Sequence, residues 1–306
     1  MKKIALTGSS GFVGSNLINY LKNDQCIQLV KLSRNEENGY VTSFMNELKI
    51  NSFDAVVHLA GNAHDLKKTS DEQSYFTANT DLTIELYNQF LKSTISTFIY
   101  FSSVKAVADS VDDILEESHE PNPKTVYGIS KLRAEQYIFS NQPSLCKRVF
   151  VLRPCMIHGP GNKGNLNLLY KIVSKGIPWP LGAFENKRSF CSIENVCFII
   201  KELIERQDIP QGIYNIADDE PLSTNELISL IAQTQNKSIK ILKLPKSLIK
   251  IFAKIGDVLG LSLNSERLHK LTETYVVRNN KIKSILGKPL PVTSKLGLIK
   301  TFQSIN

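Results

Sequence analysis

Thr7-Gly8-Ser9-Ser10-Gly11-Phe12-Val13-Gly14 is the stretch on which the reading of this 306-residue chain turns. Before it stands Lys3-Ile4-Ala5-Leu6, an apolar run with the character of a buried strand. After it, Ser15 to Leu21 carries apolar residues at helical spacing. A strand, a glycine turn and a helix in that order turn backbone N–H groups and a helix N-terminus towards a diphosphate. The spacing is G-x-x-G-x-x-G: Gly8 permits the tight turn, Gly11 the approach of the diphosphate, and Gly14 close helix–strand contact. Gly8, Ser10, Gly11, Phe12, Val13 and Gly14 are the expected cofactor contacts of this turn.

The length suits one large α/β unit with a smaller appended lobe. At 42% hydrophobic and 22% charged residues, the composition is that of a globular protein. No stretch approaches the roughly 20 apolar residues that span a bilayer. Met1-Lys2-Lys3 runs straight into a strand, which reads against a signal peptide. Cys26, Cys146, Cys155, Cys191 and Cys197 are odd in number and form no C-x-x-C pair. That pattern points to free thiols in a reducing, cytoplasmic setting, with neither a disulfide framework nor a metal site. The net charge of +8 is scattered, without the basic stripe of a nucleic-acid face, and suits an anionic substrate.

Further along, Cys26 to Leu32 reads as a second strand, ending at Ser33-Arg34. In such folds this end lies beside the adenosine ribose. A carboxylate there suits the two ribose hydroxyls of NAD, whereas an Arg with a small hydroxyl residue suits a 2′-phosphate. With no acid before Glu36, Ser33 and Arg34 favour NADP(H), with NAD(H) the alternative. Asp54 to Gly61 is a third buried strand, and Ala60 and Gly61 let a cofactor lie against its end. His58, inside that run, reads as a packed core histidine. Phe76 to Phe90 is helical in spacing, with Asn79 near its start, and Leu59, Asn79 and Pro154 are counted with the cofactor contacts. Strands at Thr97–Phe101 and Val149–Pro154 alternate with helices, which indicates a Rossmann-type doubly wound parallel sheet. The expected division is residues 1–155 with about 189–217 for the dinucleotide, and about 156–188 with 218–306 for a substrate-binding lobe. Ile213–Ala217 is a late strand able to join the main sheet, and Thr224–Gln235 a helix capped by Ser223 or Thr224. Residues 245–263 form a basic amphipathic stretch, read as a lobe helix with its apolar side on the core in preference to one on a membrane surface.

Tyr127 and Lys131 are four residues apart, one helical turn on a common face. A tyrosine near its ordinary pKa of about 10 is a poor acid–base catalyst at neutral pH. An ammonium and a nicotinamide cation beside it favour the phenolate and lower that pKa. The arrangement implies proton transfer at a carbon–oxygen centre coupled to hydride transfer, with a serine at the preceding strand end bonding the reacting oxygen.

TGSSGFVG at 7–14, HLAG at 58–61, FSSV at 101–104, YGISK at 127–131, LRP at 152–154, RSFCSIENV at 188–196 and YNIAD at 214–218 together carry a resemblance. The chain resembles the extended short-chain dehydrogenase/reductase superfamily, in its nucleotide-sugar epimerase/dehydratase branch. The resemblance implies a nicotinamide cofactor on the N-terminal domain and a nucleoside diphosphate sugar, UDP-linked, in the C-terminal lobe. It implies that Arg188 contacts the substrate diphosphate, that Asn165 caps its nucleotide end, and that Arg278 is a weaker candidate for the same diphosphate. It also implies a homodimer. Sugar 4,6-dehydratases carry an Asp-Glu pair after their catalytic Thr, where this chain has Val104-Lys105-Ala106, so dehydration is not expected. The position of the usual catalytic hydroxyl is Val104, which leaves Ser103 or Ser102 to take that role. The expected reaction is NAD(P)H-dependent reduction at C4 of a nucleotide-linked 4-keto-6-deoxy-N-acetylhexosamine, by likeness to enzymes of bacterial surface-polysaccharide synthesis. A 4-epimerase with tightly bound NAD and a non-catalytic dinucleotide sensor are the competing readings.

Overall fold

Alternation of side chains along each strand sets up the architecture. The computed structural model describes residues 1–32, 52–62, 71–162, 164–260 and 264–305, leaving Ser33 and Arg34 outside the described residues. The chain runs through β1 (Lys2–Thr7), α1 (Phe12–Leu21), β2 (Ile27–Lys31) and β3 (Ala55–His58). A helix follows in three joined parts, α2 (Glu72–Tyr75), a π-helical segment (Phe76–Asp81) and α3 (Leu82–Lys92). Next come β4 (Thr97–Phe101), a short β5 (Ile114–Leu115), α4 (Val126–Ser140) and β6 (Arg148–Pro154). Then β7 (Met156–His158), α5 (Asn165–Ser174), β8 (Phe190–Ser192), α6 (Ile193–Glu205) and β9 (Gly212–Ile216) lead towards the C-terminal part. The remainder is α7 (Thr224–Thr234), α8 (Lys246–Leu259), α9 (Ser265–Thr272), β10 (Val276–Val277), α10 (Asn280–Leu286) and α11 (Ser294–Gln303).

Six strands make one parallel sheet in the order β2-β1-β3-β4-β6-β9. Ile4, Leu6, Val57, Ile99, Phe150 and Leu152 point to one face, into a core completed by α1, α6 and α10. Ala5, Val56, Phe98, Tyr100, Val149 and Val151 point to the other, against α3 and α4. Both faces are covered, which is why the strands read as continuous apolar runs in the sequence. The late strand does join the sheet, with Leu152 in register with Tyr214. A second core gathers Leu166, Ile228, Ile249, Leu268 and Phe302 from helices of the C-terminal half, with Trp179 from a loop and Phe190 from β8. Ser223 caps α7 through a reciprocal capping box with Glu226. A two-stranded ribbon of β5 with β10 ties the loop after β4 to the C-terminal part of the chain, and Tyr275, Val277, Ile282 and Leu286 return to the core of the main sheet.

Two glycines of the opening turn are required by geometry. Gly8 has φ +66°, and a Cβ there would lie 2.6 Å from the backbone nitrogen of Ala60. A Cβ on Gly14 would lie 2.2 Å from the carbonyl oxygen of Gly8, so α1 can approach β1 only without a side chain at that position. The tyrosine helix α4 is held by Thr125, whose hydroxyl accepts from Gly128 N. Gly14→Ala is expected to lower stability by about 1–3 kcal/mol, the cost of forcing a methyl into packed backbone, read as a shift of the urea midpoint without loss of m.

Candidate active site

The carboxyl ends of β1, β3, β4 and β6 lie along one edge of the sheet, the edge at which parallel doubly wound sheets bind their ligands. Gly11 caps α1 with no side-chain hydrogen bond, and the first turn of α1 carries no acidic residue. The helix N-terminus therefore offers its N–H groups to an anion. A Cβ on Gly61 would meet Asn79 Oδ1 at 2.6 Å and Lys131 Nζ at 3.2 Å, so the glycine keeps the space beside those two groups clear. An uncapped helix start over a glycine turn, with a cleared surface at Gly61, fits the diphosphate and nicotinamide ribose of a dinucleotide.

Asn79 is a junction. Its Oδ1 accepts from Asn62 N at 2.8 Å, and its Nδ2 donates to Asn62 O at 3.0 Å and to Ser130 Oγ at 2.9 Å. It thereby ties the loop after β3 to the helix that bears Tyr127 and Lys131. His58 is fully buried between Thr7 Oγ1 (2.7 Å) and Thr83 Oγ1 (2.9 Å), and burial pulls its imidazole down to about 3. It is a neutral packing group, as its apolar surroundings in the sequence suggest.

Tyr127, Lys131 and Ser103 stand together at the end of β4. Burial pushes the Tyr127 phenol up from its ordinary value, a hydrogen bond with Ser103 pulls against it, and Tyr75 adds a smaller upward push. The Tyr75 ring meets the Tyr127 ring edge-on at 6.4 Å. Lys131 is 5% exposed, donates to the Phe101 carbonyl at 2.9 Å and lies 5.0 Å from the Tyr100 ring. Burial pulls its ammonium down to about 8, and the Glu135 carboxylate opposes that fall. The expectation of a lowered phenol pKa rests on an ammonium together with a bound nicotinamide cation; in the protein alone burial is the largest influence on Tyr127, and the Lys131 ammonium is held by a backbone carbonyl.

The two serines divide. Ser103 is the hydroxyl on Tyr127, whereas Ser102 Oγ donates to Glu135 Oε1 at 2.5 Å. Glu135 also takes Arg153 Nε at 3.0 and 3.1 Å and Nη2 at 2.5 Å, in an ion pair almost wholly shielded from solvent. Ser102 thus belongs to a buried polar network, its hydroxyl proton given to Glu135. Val104 is 3% exposed and packs in the sheet core. Neither Glu135 nor Arg153 was singled out from the sequence. The signal was present: a charged residue inside the apolar run Val149–Leu152-Arg153 has to find a buried counter-charge, and Glu135 stands one turn from Lys131.

On the substrate side, Arg188 is partly buried, its Nη1 donates to the Lys270 carbonyl at 2.5 Å, and its backbone bridges both Leu222 and Tyr275. Burial pulls its guanidinium down and Glu273 opposes. Lys105, at the position of the missing carboxylates, reaches the same place: Nζ donates to the Asp109 carbonyl at 2.6 Å and lies 4.3 Å from the Tyr275 ring. Burial is the largest cause lowering Lys105, with Arg188 and Lys270 adding to it and Glu273 and Asp109 opposing. Arg278 pairs with Glu116 at 2.6 Å across the β5–β10 ribbon and so braces it. Asn165 opens α5, and its side chain lies outside the described set. Pro154 ends β6 opposite Ile216, and Leu59 is half-buried beside Ala60 at the end of β3. Among the described residues no group of His, Cys, Asp and Glu is placed to hold a metal ion.

A dinucleotide-binding sheet with a tyrosine, lysine and serine at its carboxyl edge defines an NAD(P)-dependent enzyme of the short-chain dehydrogenase type. Residues 4–217 match the model of the NAD dependent epimerase/dehydratase family, and the chain belongs to that family, an oxidoreductase-type enzyme using a nicotinamide dinucleotide. A Vibrio cholerae protein named UDP-glucose 4-epimerase is 31% identical over 322 residues, covering 99% of this chain and 95% of its own. An Escherichia coli O157:H7 protein named N-acetyl-alpha-D-glucosaminyl-diphospho-ditrans,octacis-undecaprenol 4-epimerase is 27% identical, covering 98% and 94%. Two solved structures share the fold: RMD from Pseudomonas aeruginosa complexed with NADPH, and UDP-N-acetylglucosamine 4-epimerase from Bacillus cereus. They superpose with TM-scores of 0.75 and 0.77, each at 21% identity, over 100% of this chain and 99% of theirs.

Glu135→Gln leaves Arg153 buried without its counter-charge, and a cost of about 3–5 kcal/mol in unfolding free energy is expected. Loss of that carboxylate also lowers the Lys131 pKa further. Cofactor affinity should fall as pH rises through about 8 in the wild type, and at lower pH in the variant. Because Lys131 is depressed on folding, the cost of its burial is present below about pH 8 and relieved above it, as the unfolded chain then binds the extra proton. Denaturation midpoints and cofactor titrations across pH check both statements.

Proposed function

We propose that the enzyme reduces the C4 keto group of a UDP-linked 4-keto-6-deoxy-N-acetylhexosamine, with NADPH as reductant. The observation that supports this reading most is the sequence at the end of the second strand, Ser33-Arg34 with no acid before Glu36, which suits a 2′-phosphate and hence a reductant exchanged at each turnover. Tyr127, a buried phenol hydrogen-bonded to Ser103, is the proton donor in this reading. The bound nicotinamide supplies the hydride. Tyr127 then gives its proton to the C4 oxygen, and the Ser103 hydroxyl aligns that oxygen with the phenol. Lys131, fixed by Phe101 O and sustained by Glu135, holds the nicotinamide ribose beside Gly61 and Asn79. The turn at Gly8, Ser10, Gly11, Phe12, Val13 and Gly14 holds the cofactor diphosphate, and Ser33 with Arg34 its 2′-phosphate. Arg188 takes the substrate diphosphate, with Lys105 beside it. The acidic pair that a dehydratase uses for water loss is absent, with Val104-Lys105-Ala106 at its place, which disfavours a dehydratase.

The second reading is a 4-epimerase with tightly held NAD, favoured by the 31% identity to the Vibrio cholerae protein over nearly the whole chain. NADPH absorbance followed with UDP-4-keto-6-deoxy-GlcNAc is expected to fall with the wild type. Tyr127→Phe should slow it on the order of 100- to 10,000-fold. Equal rates for the two proteins would overturn the role of Tyr127. Denaturing the purified enzyme is expected to release no stoichiometric nucleotide, and one equivalent of NAD would transfer the conclusion to the epimerase.

A further inference from the structure

We infer that the outer side of α8 is a docking surface for an anionic lipid bilayer. At 3.6 residues per turn the helix divides into three stripes. Ile249, Ala253 and Gly256 are buried against the C-terminal core. Lys246, Lys250 and Lys254 form a basic stripe, all exposed. Between them lie Leu248, Ile251, Phe252, Ile255, Val258 and Leu259, apolar and 40–85% exposed. Six of the fourteen strongly exposed large apolar residues among those described are on this one helix, so they form a patch and are not scattered singly. The sequence-based expectation of an apolar side on the core is corrected to this extent: only the narrow stripe packs, and the wider one faces outward.

Charge decides what covers it. From Lys237 to Val258 there are six lysines and one acid, Asp257, which already accepts from Ser265 N at 2.9 Å and Ser265 Oγ at 2.5 Å. Other lysines of the C-terminal part are paired, Lys270 with Glu266, Lys283 with Asp219, Lys288 with Glu202 and Lys300 with Glu194. Lys246, Lys250 and Lys254 have no ion pair among the described residues. A second copy of this chain packed on the patch about a two-fold axis would bring like-charged lysines together without acids to answer them. Anionic headgroups complement the lysines while the apolar stripe enters the acyl boundary, the arrangement of an interfacial helix. No helix of the described residues is long and apolar enough to cross a membrane, so the contact is peripheral. The surface is close to the site: α8 packs on α9, whose Lys270 carbonyl receives Arg188. The inference holds whichever sugar the enzyme takes.

The test is co-sedimentation of the full-length enzyme with vesicles of phosphatidylcholine alone and of phosphatidylcholine with an equal part of phosphatidylglycerol. Binding to the anionic vesicles is expected to exceed binding to the neutral ones by about tenfold or more, and to weaken with salt. Ile251→Ser/Phe252→Ser/Ile255→Ser/Val258→Ser and, separately, Lys250→Glu/Lys254→Glu should each abolish it while NADPH binding and the melting temperature stay as in the wild type. Wild-type enzyme that stays in the supernatant with both vesicles overturns the proposal. So does a charge-reversed variant that sediments like the wild type. A wild-type dimer that the apolar-stripe variant converts to monomer, with unchanged vesicle partition, assigns the patch to self-association instead.

Discussion

A carboxylate with 1% of its surface exposed holds the centre of this enzyme together. Glu135 receives Arg153 from β6 and Ser102 from the end of β4, and so fixes α4 to two neighbouring strands at once. Buried ion pairs contribute little net stability over an apolar substitute, but they admit one arrangement and penalise every other. Here the arrangement specified is the height and rotation of α4 above the sheet. Tyr127 and Lys131 ride on that helix, so a buried charge pair sets where their side chains stand. The same carboxylate opposes the fall in the Lys131 pKa that burial causes.

A second constraint joins the two halves of the chain. The loop after β4 brings Lys105 to the Tyr275 ring, and β5 of the same loop pairs with β10. Tyr275 closes the loop from above, its hydroxyl donating to Ala108 O at 2.7 Å, and Arg278 braces the ribbon against Glu116. Two cations from distant segments, Lys105 and Arg188, are thereby brought next to one tyrosine ring. The cleft is assembled by backbone pairing before any ligand contact is considered.

Much of this was legible in the sequence. Strands buried on both faces write continuous apolar runs, so Lys3–Leu6, Thr97–Phe101 and Val149–Pro154 announced a parallel sheet, and Gly8 and Gly14 stood where only glycine fits. Tyr127 and Lys131 were visible because a helix puts residues four apart on one face. The direction of the Tyr127 shift was not, because burial depends on how Tyr75 and Ser103 close around the ring, and those are distant in sequence. The division of labour between Ser102 and Ser103 depended on Glu135, a residue that reads in isolation as solvent-facing helix charge. That Arg278 has Glu116 opposite it could not be read either, because the two meet only through the β5–β10 pairing. The outward face of α8 was hidden for a related reason. Periodicity reports that a helix has an apolar side, while the width of the surface it meets decides how much of that side is covered.

The π-helical segment Phe76–Asp81 gives the helix after β3 a hidden degree of freedom. An inserted residue turns everything beyond it by about 100° relative to an unbroken α-helix. On one side of the insertion Tyr75 leans on the tyrosine of the site; beyond it Leu86, Tyr87 and Phe90 serve the core under the sheet. Asn79 and Thr80, within the widened turn, both reach Ser130. The helix is in effect two rods clutched at different phases, one indexed to chemistry and one to packing. A sequence can therefore change the rod that packs without rotating the rod that touches the site, so long as the clutch between them keeps its extra residue.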